Sequence, residues 1–228
     1  MDKFINKIAK KIYDTKQHQL EELSIVLPSK RAGIFFKQAL ADLSDIPLWM
    51  PKIYSIEEWL EELSGFIIID KTQLLFEMYI SYQNVFPKDE QDSFDVFLKW
   101  APMLLTDFND IDSYFDQPQK LFNYIHQAKK IEAWTPLGGK PSEMVKNYLR
   151  FWELMGFIFT DFKARLKEQN IAFQGMAYRK ASDNISKWIT KKKPLKSSVY
   201  YLGFNAMNPC EAHIMRTLIA ENVAEVYW

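Results

Sequence analysis

Cysteine is nearly missing from this chain: Cys210 is the only one in 228 residues. That excludes an internal disulfide and a multi-cysteine zinc site, and it suits a reducing compartment such as the cytoplasm. Glycine is scarce as well, at 7 residues, which rules out a glycine-rich fibrous or low-complexity chain. No stretch reaches the roughly 18 uninterrupted apolar residues of a membrane span, so no membrane partner is expected. The opening Met1-Asp2-Lys3-Phe4 has no apolar leader region. Neither charge is in excess. Lys+Arg and Asp+Glu both total 29, so no global positive field draws the chain to a polyanion, and any nucleic-acid contact must be local.

What is there is apolar and aromatic. Hydrophobic residues make up 48% and aromatic residues 15%, as in a helix-rich globular protein of one large or two small domains burying roughly 70% of its unfolded surface. Two short apolar runs, Ile25 to Leu27 and Val199 to Tyr201, are each closed by turn chemistry and followed by a helical pattern. That is the signature of buried parallel strands, which present ligand sites at their carboxyl ends.

Residues 3 to 14 set Phe4, Ile5, Ile8 and Ile12 at helical spacing among Lys3, Lys7, Lys10 and Lys11, and read as a helix docked on the chain's own core rather than on a membrane. Ala32 to Leu43 reads as a helix with Ile34, Phe35, Ala39 and Leu43 on one face. Pro51 to Tyr54 is a second extended piece. Ser55 with Glu58 three residues on predicts a capping box for a helix over Ile56 to Leu63. From Lys71 to about Ile185 the periods are helical, over 72–86, 94–108, 119–134, 142–169 and 175–189, which predicts an all-helical insertion. Lys191-Lys192-Lys193-Pro194 reads as a solvated return loop, Asn208-Pro209 as the cap and first turn of a helix to Ala220, and Val223 to Tyr227 as a last strand. A chain that stops there, at Trp228, reads as a fragment of a longer protein. The expectation is an α/β protein with a parallel sheet from 1–65 and 186–228 and a helical subdomain over 66–185.

Nucleotide hydrolysis needs a glycine-rich loop after a strand, ending in Lys and a hydroxyl residue. The nearest match, Gly138-Gly139-Lys140-Pro141-Ser142, lies between two helical segments with proline in the hydroxyl position, and reads as a turn. Magnesium would need carboxylates where the strand over Val199 to Tyr201 ends, but Leu202 and Gly203 stand there, and Leu202 cannot bind a hard cation. No catalytic residue, metal ligand or cofactor is therefore expected. The densest carboxylate cluster is Asp107, Asp110 and Asp112. Its oxygens could serve a metal nuclease, but the run reads as a helix end entering a turn, capped at Asp110 or Asp112. His18, His126 and His213 are isolated, and Cys210 has no local base. One electrostatic feature stands out: Ser29-Lys30-Arg31 lies where a strand ends and a helix begins, a place for a phosphodiester, or else simply an exposed basic turn.

At these segments the chain resembles the inactivated AddB-like proteins of the UvrD/RecB group of superfamily I helicases, relatives of AddAB and RecBCD subunits that usually end in a PD-(D/E)XK nuclease domain. Ile25 to Leu40 is similar to the helicase segment that follows the ATP-binding loop and touches single-stranded DNA. Ile53-Tyr54-Ser55-Ile56-Glu57-Glu58-Trp59 resembles the next DNA-contacting segment. Val199 to Ile219 resembles the Walker B region, the family's Asp-Glu-Phe-Gln-Asp falling on Leu202-Gly203-Phe204-Asn205-Ala206. Phe173 to Arg179 is also similar to the family.

The resemblance implies a P-loop NTPase-like (RecA-like) sheet, DNA as partner (a single strand or a duplex end), and a second, catalytic helicase-nuclease subunit. It implies a non-catalytic scaffold in double-strand-break processing and recombinational repair, within a parent that is an ATP-dependent helicase/exonuclease subunit. DNA contact carries over to Ser29, Lys30, Arg31 and Ser55; ATP binding does not, because an amphipathic helix without glycine precedes Ile25. The rival readings are an active helicase or metal-dependent nuclease domain, and a helical protein-interaction module without a DNA role.

Overall fold

The computed structural model describes residues 4–114, 117–132 and 143–228. In chain order the elements are α1 (Phe4–Lys16), β1 (Ser24–Leu27), α2 (Lys30–Ala41), β2 (Lys52–Ser55), α3 (Ile56–Ser64), β3 (Ile67–Ile68) and α4 (Lys71–Val85). There follow α5 (Phe94–Phe97), α6 (Ala101–Tyr114), α7 (Pro118–Glu132), α8 (Glu143–Glu168), β4 (Ile171–Ala172), α9 (Gln174–Lys192), β5 (Val199–Leu202), α10 (Pro209–Ala220) and β6 (Ala224–Tyr227). The protein is α/β, mostly helical with a small parallel sheet. It divides into two compact units, residues 1–65 with 178–228, and residues 66–177. The return to the first unit thus comes at Tyr178 rather than at residue 186. No helix among the described residues is long and apolar enough to cross a membrane.

The first unit is built on a four-stranded sheet in the order β2-β1-β5-β6. Every pairing is parallel: Ile25 lies beside Ile53 on one side and Tyr200 on the other, and Tyr200 beside Glu225. Parallel neighbours need crossover connections, which α2 supplies between β1 and β2 and α10 between β5 and β6. β5 is buried at all four positions, as a central strand covered on both faces should be. Side chains alternate across the sheet. One face, with Ile25, Leu27, Tyr200 and Leu202, packs on Ala9 and Ile12 of α1 and on Phe36 and Leu40 of α2. The opposite row aligns Val26 with Tyr54 and Tyr201. There Trp59 Nε1 donates a 2.8 Å hydrogen bond to the buried Tyr201 hydroxyl, and the Trp59 ring sits 5.3 Å from that of Tyr54 and 5.8 Å from that of Trp188.

Two expectations for this unit change. The buried residues of α2 are Gly33, Phe36 and Leu40, with Ala32, Ala39 and Leu43 packed partly against the core, whereas Ile34 and Phe35 are 69% and 52% exposed. Gly33 explains the rotation: a methyl group there would lie 3.1 Å from Ile53 Cγ2, so the helix approaches the sheet through its smallest residue. Lys191 and Lys192 also belong to the last turn of α9 rather than to a loop, where cations suit the negative end of the helix dipole.

The second unit is not all-helical. β3 and β4 pair in parallel, Ile67 with Ile171 and Ile68 with Ala172, each strand feeding a helix, α4 and α9. The continuous period over 94–108 is broken into α5 and α6, because Pro102 lacks an amide donor and its ring would clash with the Leu98 carbonyl in an unbroken helix. The core of this unit is aromatic: Phe162 and Phe173 stack with centroids 5.7 Å apart, and Phe108 meets Phe159 edge-on at 5.0 Å.

Candidate nucleic-acid interface

Parallel pairing brings the carboxyl ends of β1, β2 and β5 to one edge of the sheet, so Ser29, Ser55 and Leu202 each follow or close a strand at the same end. Ser29 is extended (φ −154°, ψ 157°) and caps α2, its Oγ accepting from the Ala32 amide at 3.3 Å. Lys30 opens the helix, and its Nζ lies 3.0 Å from Glu58 Oε1. Glu58 is the third residue of α3. The Ser55 amide donates to Glu58 Oε2 at 2.9 Å and the Glu58 amide donates to Ser55 Oγ at 3.3 Å, the reciprocal capping box that the spacing predicts.

Lys30, Ser55 and Glu58 therefore form one cluster. The Ser55 amide bond, with help from Lys30, holds the Glu58 carboxyl below the usual carboxylate range. Its hydrogen bond and charge raise the Lys30 ammonium pKa, with Glu57 and Glu61 adding to the effect. Sequence reasoning finds Glu58 as a cap but misses it as the partner of Lys30, since the two lie on different crossover units. Arg31 does not join the cluster; its guanidinium lies 5.8 Å from the Phe35 ring centroid. Beside the cluster is a cleft of about 360 Å³ between α2 and the edge strand β2, with Lys30 and Lys37 on its wall and Ile34, Met50 and Ile53 as its apolar lining.

At the end of β5, Leu202 is buried against α1 and α2 and offers no oxygen. Gly203 turns the chain with φ +71° and donates its amide to the Tyr227 carbonyl at 2.8 Å. The nearby Tyr201 hydroxyl is pushed well above the ordinary phenol range by burial, and burial likewise raises Glu211, which is held as the capping-box carboxylate of α10 by the Asn208 amide at 2.8 Å. These groups are arranged to close helices and fill a core.

The acidic run lies in the carboxyl-terminal half of α6, which ends at Tyr114; the expected turn at 115–116 lies outside the described residues. Along the helix, 100° per residue sets Asp112 about 140° from Asp107 and about 160° from Asp110 around the axis. Asp112 is buried and its Oδ1 lies 2.6 Å from Lys163 Nζ, whereas Asp107 and Asp110 are exposed. Partial desolvation by the neighbouring atoms, then the charge of Asp110, raises the Asp107 carboxyl above its ordinary value. Asn109, between them, accepts the Gly175 amide at 2.7 Å and so caps the start of α9. Among the described residues no group of three or more His, Cys, Asp or Glu side chains could hold a metal ion. Cys210 is buried in the first turn of α10. The glycine turn Gly138 to Ser142, Trp134 and the side chain of His126 lie outside the described residues.

No protein-family model matches this chain, and no curated protein sequence matches it.

Proposed function

We propose that this chain is a helicase-derived, non-catalytic scaffold that lines a DNA path in double-strand-break end processing, with a P-loop NTPase-like sheet descended from an AddB-like, UvrD/RecB-type ancestor. The single observation that carries the reading is the parallel adjacency of β2, β1 and β5, which gathers at one sheet edge the three loops that resemble the family's DNA-contacting and Walker B segments. Where a motor holds magnesium, this sheet carries Leu202 and Gly203. The partners implied are DNA and a catalytic helicase-nuclease subunit, and the single buried cysteine suits the cytoplasm. Lys30 and Arg31, both exposed at the start of α2, are the residues that would meet phosphates.

Fluorescence anisotropy with a labelled oligothymidylate tests this. Binding should weaken steeply with salt, and Lys30→Glu with Arg31→Glu should lower the log–log salt slope by about one per lost phosphate contact. Salt-insensitive binding, no binding, or ATP turnover abolished by a mutation in this chain would sink the reading. DNA cleavage lost in Asp107→Ala would favour a nuclease instead. A second reading, a protein-interaction surface, draws on one observation: Ile34, Phe35, Ile46 and Trp49, on α2 and the loop after it, are all more than half exposed, and solvent-facing apolar groups of that size mark contact sites when they form a patch.

A further inference from the structure

In the helical unit, four aromatic rings close a circuit. Successive centroids from Tyr82 to Phe86, Phe151, Trp100 and back to Tyr82 are 4.6, 6.4, 5.5 and 5.6 Å apart. The segment after α4 completes the arrangement. Gln91 Nε2 donates to the Gln83 and Phe86 carbonyls at 2.8 and 2.7 Å, folding the chain back over the helix end. The Asp92 amide then donates to the Tyr82 hydroxyl at 2.8 Å, and Trp100 Nε1 donates to Asp92 Oδ2 at 3.2 Å. The result is a cleft of about 280 Å³ in which these rings share the lining with Asp89, Glu90 and Asp92.

Ring faces and carboxylates have one preference in common. Both attract cations, the rings through their quadrupole and the carboxylates through charge, and both act more strongly where water is partly excluded. An anion would meet three carboxylates, and a neutral apolar ligand would gain nothing from them. One cation of the protein already lines the cleft: Arg150 Nε lies 2.7 Å from Glu90 Oε2. Three carboxylates against this single guanidinium leave a formal charge of −2.

We propose that this cleft binds an organic cation, an alkylammonium or alkylguanidinium head group, which takes the place of Arg150 beside Glu90. The site lies wholly within the second unit and does not depend on any role in DNA processing.

The test is a titration of the full chain with choline, with N-acetylarginine methylamide and with the neutral choline isostere 3,3-dimethylbutanol, followed by the Trp100 indole N–H resonance. Binding of choline alone assigns a small-molecule amine, and binding of the arginine amide assigns a protein side chain. The neutral isostere should bind about tenfold more weakly than choline. Glu90→Gln should weaken cation binding severalfold, and Arg150→Gln should tighten it severalfold because the internal competitor is gone. A gain of affinity cannot come from misfolding, so the pair of variants separates the two causes. Equal binding of the isostere, weaker binding in Arg150→Gln, or an unmoved Trp100 resonance with both cations would overturn the proposal.

Discussion

Gly175, the second residue of α9, lies against the backbone of α6. A methyl group there would overlap the Asn109 carbonyl oxygen and come within 2.9 Å of Ser113 Oγ, while the Gly175 amide must reach Asn109 Oδ1 at 2.7 Å. Because the obstacle is backbone, Gly175→Ala should destabilise the second unit by about 2 kcal/mol, at the scale of an overpacked core. Urea unfolding followed in that unit would show the midpoint fall, and an unchanged midpoint would mean that α6 and α9 are not in this contact. The sequence marks Gly175 as the start of a helical period within the family-like stretch Phe173 to Arg179; that it needs to lack a side chain depends on a helix more than 60 residues away. The same holds for Asp112. Its carboxylate reads as one of three in a row, and only the fold sets it inward against Lys163, 51 residues on, with Asp107 and Asp110 facing solvent.

At the level of elements, what could be read from the sequence was whatever a few neighbouring residues decide. The capping box at Ser55 joins residues three apart, so spacing alone predicts it, and Asn208 before Pro209 predicts the cap of α10, to which the structure adds Glu211 as the reciprocal partner. The burial of α2 was not legible in the same way. Ile34 and Phe35 are the more apolar choice at helical spacing, but the sheet takes the face of Gly33, Phe36 and Leu40, because close approach to Ile53 matters more than local hydrophobicity. Phe36→Ala should therefore cost about 4 kcal/mol in thermal or urea unfolding, and Ile34→Ala less than about 0.5 kcal/mol. The reverse order would restore the face suggested by periodicity. β4 escaped notice because two residues carry no measurable alternation, and β3, although it lies in the run Ile67-Ile68-Ile69, has a partner only through β4.

Across the whole molecule, β5 and β6 close one side of the first unit with stacked tyrosines, Tyr200 and Tyr227, whose rings are 6.1 Å apart. Burial pushes each phenol up to about 12, from an ordinary value near 10. Since the folded state disfavours the phenolate, this contribution to stability is complete below pH 10 and is lost as pH rises from about 10 through 12. Unfolding free energies measured across that window should fall, and Tyr200→Phe should make the fall shallower. An identical slope in the variant would mean that Tyr200 is not buried in the folded protein. At the acid end the sign reverses for Glu225, which Ser197 and Tyr227 hold below the usual carboxylate range; its stabilisation is present above the ordinary glutamate value and fades as pH drops through its lowered one.

By itself the sequence determined the strands at Ile25 and Val199, most helix limits, the capping box at Ser55, the cap at Asn208 and the absence of acidic residues at Leu202 and Gly203, since each depends on local backbone preference or on residue identity. Only the tertiary structure decided the strand order, the inward face of α2, the union of Lys30 with Glu58, the small second sheet and the circuit of aromatics to which Asp92 bonds through Tyr82 and Trp100. Those features join residues far apart in the chain, and burial selects between faces that propensity alone leaves equivalent.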